Sequence, residues 1–171
     1  VPSGTRIRSS DAGIVRFEAN DCALIHTHSH PIPPDLRSAL LQAAQCQQIE
    51  IDALGSLDAK LGNLLAEAVS SLLQSSGFNA QKIRAVWSHG QTIRHQPNGS
   101  SRFTWQIGDP TRIVEATGIT TVADFRRRDL AAGGEGAPLA PLFHRYRFSA
   151  PGECRAMVNI GGIANITLLP D

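Results

Sequence analysis

The spacing of hydrophobic residues changes along the chain in a way that predicts helices alternating with strands. The strongest helical pattern lies between residues 56 and 75, where apolar side chains recur every three or four positions, at Leu57, Leu61, Leu64, Leu65, Ala68 and Leu72. This stripe predicts a long helix that buries its leucines in the core and ends at Gly77. A second helix, over 35–48, is predicted where the chain leaves a run of prolines.

Shorter apolar runs predict strands. Two strands joined by a turn are expected within 13–26, and a short buried strand is expected over 83–87. The turn residues 97–100 predict a hairpin over 91–107.

The second half of the chain continues this alternation. Helices are expected over 109–117, with Asp109 as the N-cap, and over 138–146. Residues 157–169 are apolar on both sides of Gly161-Gly162, which predicts a strand, a glycine turn and a second strand. Strands alternating with helices, together with hairpins, predict an α/β fold.

Composition narrows the class of protein. With 171 residues, 42% of them hydrophobic, the chain can bury one core and the start of a second domain. A net charge of +1 gives no general field that would attract nucleic acid or a membrane surface. The three cysteines (Cys22, Cys46 and Cys154) are widely spaced, as free thiols in a reducing compartment would be. No apolar run approaches the ~20 residues of a membrane span, and no signal-peptide pattern is visible, so a cytoplasmic location is expected.

The segment from 121 to 144 carries the most specific chemistry. Three arginines, Arg126, Arg127 and Arg128, and then Asp129 follow an apolar run over 119–125 that predicts a buried strand. A loop of small residues rich in glycine comes next. Ligands bind at the carboxyl ends of strands in open α/β sheets, so this tetrad predicts a ligand site. The alternative is a solvated arginine run or a weak nucleic-acid patch.

Two further predicted strand ends are polar. Ser88 is followed by His89, Gly90, Gln91 and Thr92, whose side chains suit hydrogen bonds to a sugar hydroxyl. The alternative for this segment is a turn whose side chains bond their own backbone. The second polar strand end is 106–109, which finishes at Asp109. Together with Asp129, these three strand ends predict one shared pocket.

Phosphate binding would have to use glycine turns, because neither lysine, Lys60 nor Lys82, lies in a Walker P-loop motif. Two turns qualify: Ser3-Gly4-Thr5, and a second turn containing Asn159, Gly161 and Gly162. Plain β-turns are the alternative for both.

A metal site is a further alternative. His26, His28 and His30 alternate, so on a strand they would share one face, as zinc ligands could. No nearby acidic residue or cysteine completes the set, and a polar strand end before a proline is the competing interpretation.

Several segments, taken in order, resemble the anhydro-N-acetylmuramic acid kinase family. The matching stretches are SHGQTIRHQP (88–97), QIGDPTRIVEATGITTVADFRRRDLAAGGEGAPLAPLFH (106–144) and VNIGGIANITLLP (158–170). PIPPDLR (31–37) and the helix LGSLDAKLGNLLAEAV (54–69) fit as well. The resemblance implies the ribonuclease H-like fold of the actin, sugar kinase and Hsp70 ATPases, incomplete in this chain. It divides the chain into an N-terminal lobe (1–155) and the first strand-turn-strand of a second lobe (156–171).

The resemblance also implies a reaction. Water, activated by an aspartate base, attacks the anomeric carbon of 1,6-anhydro-N-acetylmuramic acid and opens the 1,6-bridge. The freed 6-oxygen takes the γ-phosphoryl group of ATP, with Mg²⁺ offsetting phosphate charge, which gives N-acetylmuramic acid 6-phosphate and ADP. The setting implied is the recycling of bacterial cell-wall sugar. The expected partners are this sugar and ATP, without nucleic acid or membrane, and with room for a homodimer.

Residue by residue, the family's sugar-pocket motifs fall on 89–92, 106–109 and 126–129. An arginine suits the lactyl carboxylate of the sugar, because a planar guanidinium can grip it with two hydrogen bonds. Which of the three arginines does so is left open. The turn at 159–162 corresponds to the family's second phosphate-contacting hairpin.

The chain departs from the family in two places. Its first phosphate loop keeps Ser3, Gly4 and Thr5, but Arg6, Arg8 and Ser9 replace a serine, the first aspartate and a glycine of S-G-T-S-x-D-G-x-D. This change should weaken the organisation of Mg²⁺ and water. The sequence also stops at Asp171, before the D-T-G-P-G-N segment that carries the expected base.

Three hypotheses follow. The first is a kinase represented by its N-terminal half, with little activity expected of this polypeptide alone. The second is a silent remnant with a sugar-binding or dimerising surface. The third is a metal-dependent hydrolase built on the three alternating histidines.

Overall fold

The computed structural model describes residues 8–19, 21–160 and 164–171. Within these ranges it shows five α-helices: α1 (Pro34–Gln45), α2 (Ile51–Ser76), α3 (Pro110–Thr117), α4 (Phe125–Ala131) and α5 (Ala140–Phe148). A short 3₁₀ helix spans Ala80–Lys82. The strands of the same ranges are β1 (Ser9–Phe17), β2 (Cys22–Pro31), β3 (Val86–Trp87), β4 (Gln91–Gln96), β5 (Phe103–Ile107), β6 (Thr121–Val122), β7 (Arg155–Ile160) and β8 (Ala164–Leu169). The fold is mixed α/β, as the alternating pattern predicts.

The strands pair two by two in the part of the chain that the structure describes. Three pairs are antiparallel hairpins: β1 with β2, β4 with β5, and β7 with β8. The fourth pair is parallel, with Val86 opposite Thr121 and Trp87 opposite Val122. This parallel pair is the one that brings the segment after β3 next to the segment after β6.

The core lies where α1 and α2 pack against the β4–β5 hairpin. Its buried side chains are those of Ile32, Leu36, Leu40, Ala43, Leu54, Leu57, Leu61, Leu64, Ile93 and Ile107. The leucine stripe predicted from the sequence is therefore confirmed as a core face of α2. Burying one such leucine contributes about 1.5–3 kcal/mol, which explains why the apolar period is so regular here.

Helix α2 also fixes the turn between β5 and α3. The Asp58 carboxylate accepts a hydrogen bond of 2.6 Å from the Gly108 amide. Gly62 lets the backbones approach, since a Cβ there would lie 2.8 Å from the Asp109 carbonyl oxygen. The start of α3 is thus held against the middle of the longest helix.

The helix signals in the second half are confirmed. Asp109 is the N-cap of α3, with Pro110 as the first helical residue, and Gly118 ends the helix in the left-handed region. Gly77 ends α2 in the same way. Helix α2 starts at Ile51, earlier than the predicted start at residue 56. The apolar pattern missed this first turn because Ile51 is 86% exposed and lies outside the stripe.

Two predicted strands are shorter and less buried than expected. The strand over 119–125 is reduced to Thr121–Val122, and that over 83–87 to Val86–Trp87. Trp87, the last residue of the apolar run over 83–87, is 73% exposed, so this run does not end in a buried strand. After β6 the chain turns at Asp124, which has a left-handed φ of 57°, and enters α4.

No helix among the described residues is long and apolar enough to cross a bilayer.

Candidate functional site

The arginine-aspartate tetrad lies on a helix. Arg126, Arg127, Arg128 and Asp129 occupy the first turns of α4, and the prediction that they end a strand is wrong. The reason is local, since β6 stops at Val122 and the left-handed residue Asp124 redirects the chain. On a helix, residues three apart share a face, so Arg126 and Asp129 point to the same side.

Arg126 contacts the segment that follows β3. Its Nε donates a hydrogen bond of 2.6 Å to Nε2 of His89, and its Nη1 donates one of 2.7 Å to the Gly136 carbonyl. The His89 ring lies 5.8 Å from the ring of Phe125, centroid to centroid. Two of the three predicted strand ends therefore meet directly, through one histidine and one arginine.

These contacts define the tautomer of His89. Its Nδ1 lies 2.8 Å from the Gly90 carbonyl, which can only accept, so Nδ1 carries the proton. Nε2 is then the acceptor for Arg126. The pKa of His89 is lowered, mainly because the surrounding groups shield the ring from water, and also by the Arg126 cation; the Gly90 carbonyl opposes this shift. His89 is accordingly neutral near pH 7.

Asp129 holds the glycine-rich loop against α4. Its carboxylate accepts a hydrogen bond of 2.7 Å from the Gly136 amide, and its backbone carbonyl accepts one of 2.9 Å from the Gly134 amide. A side chain at Gly134 would collide with that carboxylate, which explains the glycine. Asp129 thus bonds to the protein's own backbone, and the sequence did not predict this contact.

The other two arginines face solvent. Arg127 and Arg128 are exposed, whereas Arg126 is half-buried. Nη1 of Arg127 lies 3.4 Å from the Asp124 carboxylate in an exposed ion pair, which contributes little to stability. The pKa of Arg126 is lowered by desolvation, as expected for a cation that the loop partly covers.

The β4–β5 hairpin carries a set of polar side chains that bond to one another. Gln106 Nε2 donates to the hydroxyls of Thr92 (3.2 Å) and Thr104 (2.7 Å), and His95 Nδ1 lies 3.1 Å from the Thr104 hydroxyl. The Gln106 Oε1 atom is buried and has no partner among the described residues. The pKa of His95 is lowered, first by desolvation and then by Arg126.

Thr104 and His95 are residues that sequence reasoning missed. Thr104 is 3% exposed although it is polar, and on β5 it lies directly opposite His95 of β4. The available signal was the strand period. With Gln106 known to be polar, the residue two positions earlier had to share its face of the hairpin.

The segment after β3 partly follows the alternative interpretation. Gln91 donates to the neighbouring Thr92 carbonyl at 3.2 Å, and His89 bonds the Gly90 carbonyl, as in a turn that satisfies its own backbone. Only His89 of these residues also reaches α4.

The contacts of Asp109 differ from those expected of a residue in a ligand pocket. Its carboxylate caps α3 by accepting from the amide of Thr111 at 2.9 Å and from the Thr111 hydroxyl, and it pairs with Nε of Arg112 at 3.2 Å. The pKa of Asp109 is lowered, chiefly by the Thr111 hydroxyl. The described contacts commit this carboxylate to the helix start, two residues after the hairpin.

Of the residues predicted to bind phosphate, the structure describes only Asn159. Asn159 lies on β7, exposed and opposite Asn165 of β8. Ser3, Gly4, Thr5, Gly161 and Gly162 lie outside the described residues.

The alternating histidines join the first hairpin to α2. His26 Nε2 lies 3.2 Å from the Ser75 hydroxyl, and His30 Nε2 lies 3.7 Å from the Glu67 carboxylate. Within the described ranges no three His, Cys, Asp or Glu side chains come together as metal ligands would. These contacts favour the polar-strand interpretation over a zinc site.

Comparisons with known proteins agree on one family. A family model described as anhydro-N-acetylmuramic acid kinase matches residues 1–171. Proteins named anhydro-N-acetylmuramic acid kinase from Xylella fastidiosa (strain Temecula1 / ATCC 700964) and Xanthomonas axonopodis pv. citri (strain 306) are 52% and 53% identical to the chain. One from Coxiella burnetii (strain Dugway 5J108-111) is 49% identical. Each alignment covers 98% of this chain and 45% or 46% of the relative, so the chain spans about half the length of these relatives.

Proposed function

The chain belongs to the anhydro-N-acetylmuramic acid kinase family, and from that premise we propose that it forms the sugar-binding part of such a kinase. The family has the fold of sugar kinases and related ATPases. The proposed reaction opens the 1,6-bridge of anhydro-N-acetylmuramic acid with water and transfers the γ-phosphoryl group of ATP to O6. Its products are N-acetylmuramic acid 6-phosphate and ADP.

The observation that carries this proposal is the hydrogen bond from Arg126 of α4 to His89, which lies just before the β4–β5 hairpin in the chain. A sugar acid needs neutral hydrogen-bonding groups for its hydroxyls and a cation for its carboxylate. Thr92 and Gln106 supply the former, and Arg126 supplies the latter. Because Arg126 is held from two sides, it is positioned before the ligand arrives.

Within this proposal, residues 1–155 are the N-terminal lobe of the actin, sugar kinase and Hsp70 type, and 156–171 begin the second lobe. The β7–β8 hairpin contacts the preceding helix through two polar pairs: His144 Nδ1 lies 2.9 Å from the Thr167 hydroxyl, and Arg155 Nη1 donates to the Phe148 carbonyl at 2.9 Å. Val158, Ile160, Ile166 and Leu168 of the hairpin are more than half exposed.

Kinase membership implies ATP, commonly with Mg²⁺. The described residues do not fit a Mg²⁺ site. Asp109 caps a helix, Asp129 binds a backbone amide, and among the described residues no three His, Cys, Asp or Glu side chains come together. In the proposed reaction, the role of this chain is therefore to bind and orient the sugar.

The test is a titration of the purified 171-residue protein with 1,6-anhydro-N-acetylmuramic acid in a calorimeter, paired with a phosphotransfer assay. We expect saturable sugar binding and no 6-phosphosugar from this chain with ATP. A chain extended to the length of the relatives should form the product. Absence of sugar binding to the 171-residue chain would contradict the proposal. Binding without phosphotransfer by the extended chain would favour a silent sugar-binding remnant.

A further inference from the structure

We draw no further inference here: the strongest candidate, the exposed apolar face of the β7–β8 hairpin that the cross-strand pairs Ala156–Leu168, Val158–Ile166 and Ile160–Ala164 form, belongs to the segment already proposed to begin the second lobe, and nothing among the described residues shows what covers it.

Discussion

The carboxylate of Asp129 accepts a hydrogen bond of 2.7 Å from the amide of Gly136, seven residues further along the chain. The carbonyl of Gly136 is held as well, because it accepts a hydrogen bond of 2.7 Å from Nη1 of Arg126. Two side chains from one face of α4 thus clamp a single buried glycine. The loop after α4 is folded back onto the helix that precedes it, and this fixes where the guanidinium of Arg126 lies.

Replacing Asp129 by alanine should destabilise the protein by about 1–3 kcal/mol, because the buried Gly136 amide would lose its partner. Asp129→Asn should cost less, since its amide oxygen can still accept. The free energy of unfolding from urea denaturation is the measurement.

The control for this prediction is Glu135→Ala, an exposed acidic residue in the same loop. It should change stability by no more than about 0.5 kcal/mol. If Asp129→Ala were as mild as Glu135→Ala, the clamp would not stabilise the loop.

Adding a methyl group at Gly62 should destabilise the contact between α2 and α3. The new Cβ would lie 2.8 Å from the carbonyl oxygen and 3.0 Å from the amide nitrogen of Asp109, and backbone cannot move aside cheaply. We expect Gly62→Ala to cost about 1–3 kcal/mol. The same substitution at Gly55, in the same helix but with open space around it, should stabilise by about 0.5–1 kcal/mol. Thermal or urea unfolding of both variants would detect opposite signs, and equal shifts would contradict the packing.

Removing the cap of α3 tests whether Asp109 has a structural role. Asp109→Ala should cost about 0.5–2 kcal/mol, because the Thr111 amide loses its acceptor. Asp109→Asn should retain most of the stability, since asparagine caps about as well. The experiment compares unfolding midpoints with sugar affinity in the same variants. A large loss of affinity in Asp109→Asn with unchanged stability would show that the carboxylate serves the ligand instead.

The stability of the protein should depend on pH through His89. Its pKa in the folded protein is lowered, mainly by desolvation, whereas the unfolded chain should titrate near ~6.5. Above that pH both states are neutral and the residue contributes no pH dependence. As the pH falls below ~6.5, the unfolded state binds the proton first, so the free energy of unfolding decreases until the folded pKa is passed.

Urea unfolding of wild type and His89→Gln between pH 5 and 7.5 isolates this contribution, because both proteins keep His95, whose pKa is also lowered, mainly by desolvation. The difference in free energy of unfolding between the two proteins should be constant above about pH 6.5. Below that pH the wild type should lose stability relative to His89→Gln. A difference that stays flat over the whole range would mean that the His89 ring is not desolvated.

Local signals in the sequence were sufficient for much of the fold. The leucine stripe of α2 works because a helix repeats every 3.6 residues and must bury one face. Asp109, Pro110 and Gly118 mark both ends of α3 through caps that depend on neighbouring residues alone. The hairpin over 91–107 follows from its turn residues. These features were predictable because their causes lie within a few positions of one another.

The strand predicted over 119–125 failed for the opposite reason. Apolar residues such as Ile119 and Val122 satisfy the strand pattern, but β6 has one described partner of only two residues, β3, so pairing ends at Val122. Whether an apolar run continues as a strand depends on what pairs with it. The turn at Asp124 then makes the arginine block helical.

The sequence by itself predicted the residue types of the candidate site: neutral polar groups after β3 and on the β4–β5 hairpin, and an arginine block in 126–128. The tertiary structure decided which partners these side chains contact. It singled out Arg126 by placing His89, 37 positions away in the chain, at 2.6 Å from its Nε, and it turned Asp129 toward Gly136. The physical reason is that a side chain's hydrogen-bond partners are set by distance in space, and identical neighbours such as Arg126, Arg127 and Arg128 differ only in what the fold brings to them.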